Sequence, residues 1–266
     1  MFSVVVTCYN LGEYLHECIS SIYSSCVGFE FEVIIVDDGS SDDLTIKVID
    51  GLILEFPGLT LIRQANLGLA KARNVGVEKS KFDWIIPFDA DNVMQRAMIT
   101  EAFKIIQSNT DVDIIYGNAL FFGKEDRLWP QKEYSFVDLC DSNYLDACAC
   151  FRRSLYEAIG GYDSSMSVMG FEDWDFWLRA SVKGFRFKFC DEIFYKYRVR
   201  QDSMLSKAWG FKKELESYIF SKKELSNLNE VRFLILENNK LKQRKSGKEL
   251  FFELLNRIKK RLLYGI

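Results

Sequence analysis

The first 120 residues alternate between two hydrophobic periods. Phe2–Val6 is a short apolar run rich in β-branched residues, and Leu11–Ser25 follows with Leu15, Ile19 and Ile22 at helical spacing. The cycle then repeats. Phe31–Val36, Leu59–Arg63, Trp84–Phe88 and Asp113–Tyr116 read as strands, and Asp42–Phe56, Gly68–Lys79 and Val93–Ser108 as the helices between them. Continuous apolar strands separated by helical segments of roughly 10–15 residues predict parallel βαβ units and an α/β fold. From about Ala119 the alternation breaks down. Ser154–Ile159 reads as a short helix closed by Gly160-Gly161, and "GFEDWDFWLRASVKG" as a loop entering a helix. Phe185–Phe189 and Ile193–Val199 read as two strands, and from Trp209 the chain is mostly helical and increasingly charged.

In such sheets ligands bind beyond the carboxyl ends of the strands. The polar clusters fall there: Thr7-Cys8-Tyr9-Asn10, Asp37-Asp38-Gly39-Ser40, Gln64–Asn66 and Asp89-Ala90-Asp91. Composition narrows the classes. With 48% hydrophobic and 27% charged residues the chain can bury an ordinary globular core. A net charge of −3 over 266 residues disfavours a nucleic-acid partner. Seven cysteines without a Cys-x-x-Cys spacing, and no long apolar run, predict a cytoplasmic protein with neither disulfide framework nor membrane span.

Asp89 and Asp91 end the strand "WIIPFDAD". Two like charges that close need an offset: either the pair is a solvated turn, or it holds a divalent metal. No G-x-G-x-x-G follows the first strand and no G-x-x-x-x-G-K-S/T occurs, so the common phosphate cradles are disfavoured. A phosphate would then need another counter-charge, and Mg²⁺ bound by one or two carboxylates plus phosphate oxygens supplies it. Period-two alternation of an extended backbone would put Asp89 and Asp91 on one side.

"VVVTCYN", "VIIVDDGSSD", "NLGLAKARNVG", "WIIPFDAD" and "GFEDWDFWLRASVKG" occur in that order. So ordered, they closely resemble the family 2 glycosyltransferases of GT-A fold, over about residues 2–204. The resemblance implies a Rossmann-like, mostly parallel sheet flanked by helices, with a catalytic domain over 1–205. The nucleotide-sugar half would be about 1–118, the acceptor half about 119–205, and 206–266 a helical C-terminal region. It implies an inverting transferase that takes a nucleotide-diphosphate sugar, UDP by family habit, to a glycan or lipid-linked glycan of cell-surface polysaccharide. Thr7, Tyr9, Asp37 and Asp38 would hold the nucleoside, and Arg73 and Asn74 would line the donor pocket. Asp91 would ligate Mn²⁺ or Mg²⁺, and Asp89 would contact the ribose or a metal-bound water. Asp173 would be the general base beside Glu172, with Trp174 facing the acceptor and Trp177 in the core. The family often carries a histidine near the end of this region. Here the sequence reads "YRVRQDSM", and the one histidine, His16, lies in the first helix. Arg198 or Arg200 would then meet the diphosphate as a fixed cation.

Sugar choice would rest on the irregular segment Ala119–Ala149 and on "CACFRRS". Leu241–Ile266 carries eight Lys/Arg and two Glu, with Phe251, Leu254, Leu255, Ile258 and Leu262 on one helical face. Such a basic amphipathic stretch, 247–266, can hold the protein peripherally at the inner face of a membrane, or dock on its own domain or on a second subunit of a homo-oligomer. Two other functions compete: a glycoside hydrolase built on the paired carboxylates, and a nucleotide-sugar-binding scaffold without turnover.

Overall fold

A computed structural model describes residues 1–108, 111–200 and 204–244, with the side chains of 205, 206 and 240–244 left aside. The proposed membrane or docking stretch 247–266, and Gln201 within "YRVRQDSM", lie outside the described residues.

The chain runs β1 (Phe2–Cys8), α1 (Gly12–Ser25), β2 (Phe31–Asp37), α2 (Asp43–Glu55), β3 (Thr60–Arg63), α3 (Leu69–Lys79) and β4 (Trp84–Asp89). Then come β5 (Val93–Met94), α4 (Arg96–Gln107), β6 (Ile114–Gly123), β7 (Arg127–Trp129), α5 (Phe136–Asp141), β8 (Cys150–Arg152) and α6 (Arg153–Ile159). Next are α7 (Glu172–Val182), β9 (Phe187–Val199), α8 (Met204–Gly210), α9 (Lys212–Ser221) and α10 (Leu228–Arg244). The sheet order is β3-β2-β1-β4-β8-β6-β9-β5, with β7 paired to β6. β1 is parallel to β2 and β4, and β2 to β3. β8 runs antiparallel between β4 and β6, so β6 keeps the direction of the first four strands. The architecture is the α/β, mostly parallel sheet flanked by helices that the sequence implies.

Alternation along β1 divides the core. Val5 joins one cluster with α3 and α7, whereas Phe2, Val4 and Val6 join another with α1, α2 and α4. β1 is therefore buried on both faces, which is why it reads as a continuous apolar run. Gly76 lets α3 lie directly on the sheet: a Cβ there would stand 2.2 Å from Val5 Cγ1.

Two element boundaries depart from the sequence reading. The helix expected over Val93–Ser108 begins only at Arg96, because Val93 and Met94 pair with Lys196 and Tyr195 of β9. The two strands expected near 185–199 are one, β9, whose pairing with β6 shifts register at Asn118. The polar Asp191-Glu192 between them is a bulge, held by Asn118 Nδ2 donating to Asp191 at 2.9 Å.

The C-terminal helices complete the first core cluster. Leu215, Ile219 and Phe220 of α9 are buried there with Trp174 and Trp177 of α7. Lys222 joins Asp163 and the fully buried Asp175 of α7, each at 2.5 Å. Among the described residues no helix is long and apolar enough to cross a membrane.

Candidate active site

The carboxyl ends of β1, β2 and β4 open into one cleft of about 630 Å³. The starts of α3 and α7, the end of β9 and the α8–α9 segment complete its walls.

Thr7 and Tyr9 stand at the end of β1, Thr7 buried and Tyr9 46% exposed with its ring free for a ligand. The Asp37–Ser40 turn divides its work. Asp38 lines the cleft and ties down the loop before α3, accepting from Gln64 Nε2 at 2.7 Å and from the amides of Leu67 and Gly68 at 2.8 and 2.9 Å. Asp42 caps α2 through the Thr45 amide. Asp37, expected at the nucleoside, is instead committed to the turn. It accepts from the Ser40 amide at 2.9 Å and stands 3.7 Å from Arg63 Nε, and it is not among the cleft-lining residues.

β4 ends at Asp89, and Ala90 and Asp91 form a turn closed by the Asn92 amide on Asp89 O. Both carboxylates line the cleft, but through this turn rather than the extended alternation expected from the sequence. Each is paired with an arginine. Asp89 accepts from Arg73 Nη2 at 2.9 Å, and Asp91 lies 2.6 Å from Arg200 Nε. Burial, reinforced by Asp89, still pushes the Asp91 carboxyl up to about 6. Among the described residues no three His, Cys, Asp or Glu side chains converge on one ion. Two cleft-facing carboxylates nevertheless fit a hard divalent cation that takes its other ligands from water and diphosphate. The penalty on the Asp91 charge is one that such a cation would relieve.

Arg73 is a buried bridge: Nη1 donates to Glu172 at 2.6 Å while Nη2 holds Asp89. It thus fastens the end of β4 to the start of α7. Glu172 takes the Gly170 amide on its other oxygen at 2.6 Å, so it braces the turn into α7. Asp173 follows at the cleft wall, with Oδ1 accepting its neighbour's amide from Trp174 at 2.7 Å. Burial first, then Glu172 and Asp146, hold the Asp173 carboxyl well above the usual range, against the pull of Arg73.

Two expected contacts are corrected. Asn74 does not line the cleft: its amide is spent on the Tyr162 backbone, donating to O and accepting from N–H at 2.8 Å each. It clamps the Gly160-Gly161 loop to α3. Trp174 borders the cleft floor but offers no open face for an acceptor. It is 1% exposed, donates Nε1–H to Leu139 O at 2.6 Å, and packs edge-on against Phe171 and Phe220. Trp177 is a core residue, as expected.

At the end of β9 the two arginines differ. Arg198 is engaged with Glu17 and with Asp91 O at 3.0 Å, and lies over the rings of Tyr14 and Phe122. Among the described residues Arg200 makes the Asp91 ion pair and approaches Tyr14 to 5.7 Å. His16 is a surface residue paired with Glu55. The sequence reading missed Asp146, whose carboxylate accepts from Tyr195 OH at 2.7 Å, and the cleft residues Trp129 and Tyr197. Tyr195 and Tyr197 share a period-two spacing that marks one strand, but nothing local marks Asp146.

Residues 3–176 match the profile of Glycosyl transferase family 2. The chain belongs to this family, and it is a glycosyltransferase. It is 32% identical over 127 residues to Glycosyltransferase GlyG of Streptococcus pneumoniae, covering 47% of this chain and 41% of GlyG. An uncharacterized glycosyltransferase of Methanocaldococcus jannaschii is 24% identical over 235 residues, covering 85% of this chain and 80% of that protein. S. aureus TarS, residues 1–349 in complex with UDP-GlcNAc, has a TM-score of 0.70 at 20% identity, covering 88% of this chain and 71% of that one. Mannosyltransferase PcManGT from Pyrobaculum calidifontis, in complex with GDP-Man and Mn²⁺, has a TM-score of 0.59 at 17% identity, covering 99% and 81%. These neighbours share the GT-A fold with this chain.

Proposed function

We propose that this transferase moves one sugar, with inversion, from a nucleotide-diphosphate sugar, UDP first among the candidates, to a glycan or lipid-linked glycan in cell-surface polysaccharide synthesis. One observation carries the reading: Asp89, Asp91 and Asp173 face a single cleft that Thr7, the strand partner of Asp89, and Tyr9 also line. The UDP-GlcNAc and GDP-Man carried by the two structural neighbours support a nucleotide-sugar donor.

The base stacks on Tyr9, beside Thr7 and the Asp38 turn. The diphosphate lies toward Asp91, where Arg200, paired with Asp91 at 2.6 Å, is the cation offered to it, since Arg198 is held by Glu17 and Asp91 O. A divalent cation, when bound by Asp91 with Asp89, supplies charge neutralisation for the departing diphosphate. Asp173 takes the acceptor proton as the hydroxyl attacks the anomeric carbon. The Trp174 amide occupies Oδ1, so Oδ2 is the basic oxygen. The Arg73 bridge sets the distance between the donor end at β4 and the base at α7.

The test is a panel of nucleotide sugars with and without Mn²⁺ or Mg²⁺, read by release of nucleoside diphosphate, for wild type and Asp91→Ala. Release from one donor, dependent on metal and lost in the variant, is the expected result. Binding of a donor without release across all acceptors would replace this reading with a binding subunit.

A further inference from the structure

Asp146 lies between α5 and β8 and carries none of the roles above. Its carboxylate lines the cleft and is locked by the hydroxyl of Tyr195, which is 3% exposed. A buried tyrosine aimed at one carboxylate oxygen fixes the group without neutralising it. Its place along the cleft follows from its neighbours. Tyr195 packs against Phe88, the residue before Asp89, with ring centroids 6.2 Å apart, and Asn92 Nδ2 donates to Cys148 Sγ at 3.6 Å, so the segment carrying Asp146 is joined to the end of β4. Asp173 lines the same cleft, and burial first, then Asp89, raise the Asp146 carboxyl above its usual range. Asp146 therefore stands beside the diphosphate end of the cleft that also holds the base. The transferred sugar has to occupy the interval between that end and the base, because its anomeric carbon bonds the diphosphate and faces the attacking hydroxyl.

The same cleft carries aromatic surface. Trp129 and Tyr197 line it, edge to face with ring centroids 5.7 Å apart. An aromatic face suits the apolar C–H side of a pyranose, and a fixed carboxylate accepts from its hydroxyls. This cluster of acidic side chains already disfavours negative charge at Asp146 and Asp173, burial first and their acidic neighbours next, so a further anion in the interval is disfavoured too.

We infer that Asp146, backed by Tyr195, is a specificity-determining residue: it accepts hydrogen bonds from the transferred sugar's hydroxyls and selects neutral sugars over uronic acids. The inference rests on the nucleotide-sugar reading above and assigns the class of sugar within it.

The experiment uses the full chain as wild type, Asp146→Asn and Tyr195→Phe, with thermal melts to establish folding. The probes are UDP, UDP-glucose, UDP-galactose, UDP-N-acetylglucosamine and UDP-glucuronic acid, read by calorimetric binding and by UDP release. Wild type prefers its best neutral donor over UDP-glucuronic acid by about 100-fold or more, as like-charge juxtaposition demands. Asp146→Asn lowers kcat/KM for that donor by about 10- to 100-fold, the worth of a hydrogen bond to a charged group, and narrows the gap to UDP-glucuronic acid. Tyr195→Phe moves both in the same direction by less, and the affinity for UDP alone stays within about twofold in either variant. A residue that merely supports the fold would shift UDP binding and all donors together. The inference is overturned if folded Asp146→Asn keeps the wild-type donor ranking, or if wild type accepts UDP-glucuronic acid as readily as the neutral donors. Failure of wild type to bind UDP or any of these donors is a separate result, and it removes the UDP assignment on which the inference rests.

Discussion

Asp173, the proposed base, shows how environment tunes an ordinary residue. Its carboxyl is buried beside Glu172 and Asp146, so the protonated form persists to higher pH than for a free aspartate. A general base works deprotonated. The sign is therefore that activity is lost as pH falls through this raised pKa, and log kcat/KM bends downward above the usual carboxylate value of about 4. A pH–rate profile checks it, and a bend at or below that value would remove Asp173 from the role. Asp173→Asn should lower kcat by about 100- to 10,000-fold while UDP affinity holds. The carboxylates of the chemistry were legible in the sequence because an acidic pair opening an apolar helix, or closing an apolar strand, is a local pattern. The roles of Asn74 and Trp174 were not. Whether an amide faces a ligand or the Tyr162 backbone depends on a partner 88 residues away in the chain.

At the scale of elements, close approach of α3 to β1 and β2 is what brings Arg73 to Asp89 and Glu172. Gly76 makes that approach possible, since even a methyl group would collide with Val5 and stand 3.1 Å from Val36. Gly76→Ala should destabilise the fold by about 1–3 kcal/mol through overpacking, seen as a lower urea midpoint with an unchanged slope. An unchanged midpoint would show that α3 can lift from the sheet at no cost. β1, β2 and β4 and the helices between them were readable because burial on both faces leaves unbroken apolar runs. β8 and β5 were not, because three- and two-residue strands have no period of their own, and β9 was read as two strands because its bulge interrupts the pattern. β8 and β5 exist only where a neighbouring edge offers hydrogen bonds.

For the whole molecule, α8 and α9 close the cleft from beyond the family match, with Trp209 54% exposed at its wall and Lys222 tying the end of α9 to α7. The chain from Leu241 onward carries a local charge of +6 against −9 for the remainder. Attraction of that segment to anionic lipid is the proposed basis of peripheral membrane association. Deleting residues 247–266 should move the protein from the membrane fraction to the supernatant and leave UDP affinity as it was. Retention in the membrane fraction would place any membrane contact elsewhere in the chain.

By itself the sequence determined the α/β class, the succession of the first strands and helices and the strand ends at which the cleft opens, and it offered Asp91 and Asp173 as the candidate carboxylates there. Each of these is written in near neighbours, as a period of hydrophobicity or a short ordered motif. Only the tertiary structure decided which arginine meets which carboxylate, that Asp37 serves its turn, that Asn74 and Trp174 are spent on packing, and that Asp146 belongs to the cleft. Those assignments depend on contacts between segments distant in the chain, and side-chain identity alone does not say which partner reaches a group first.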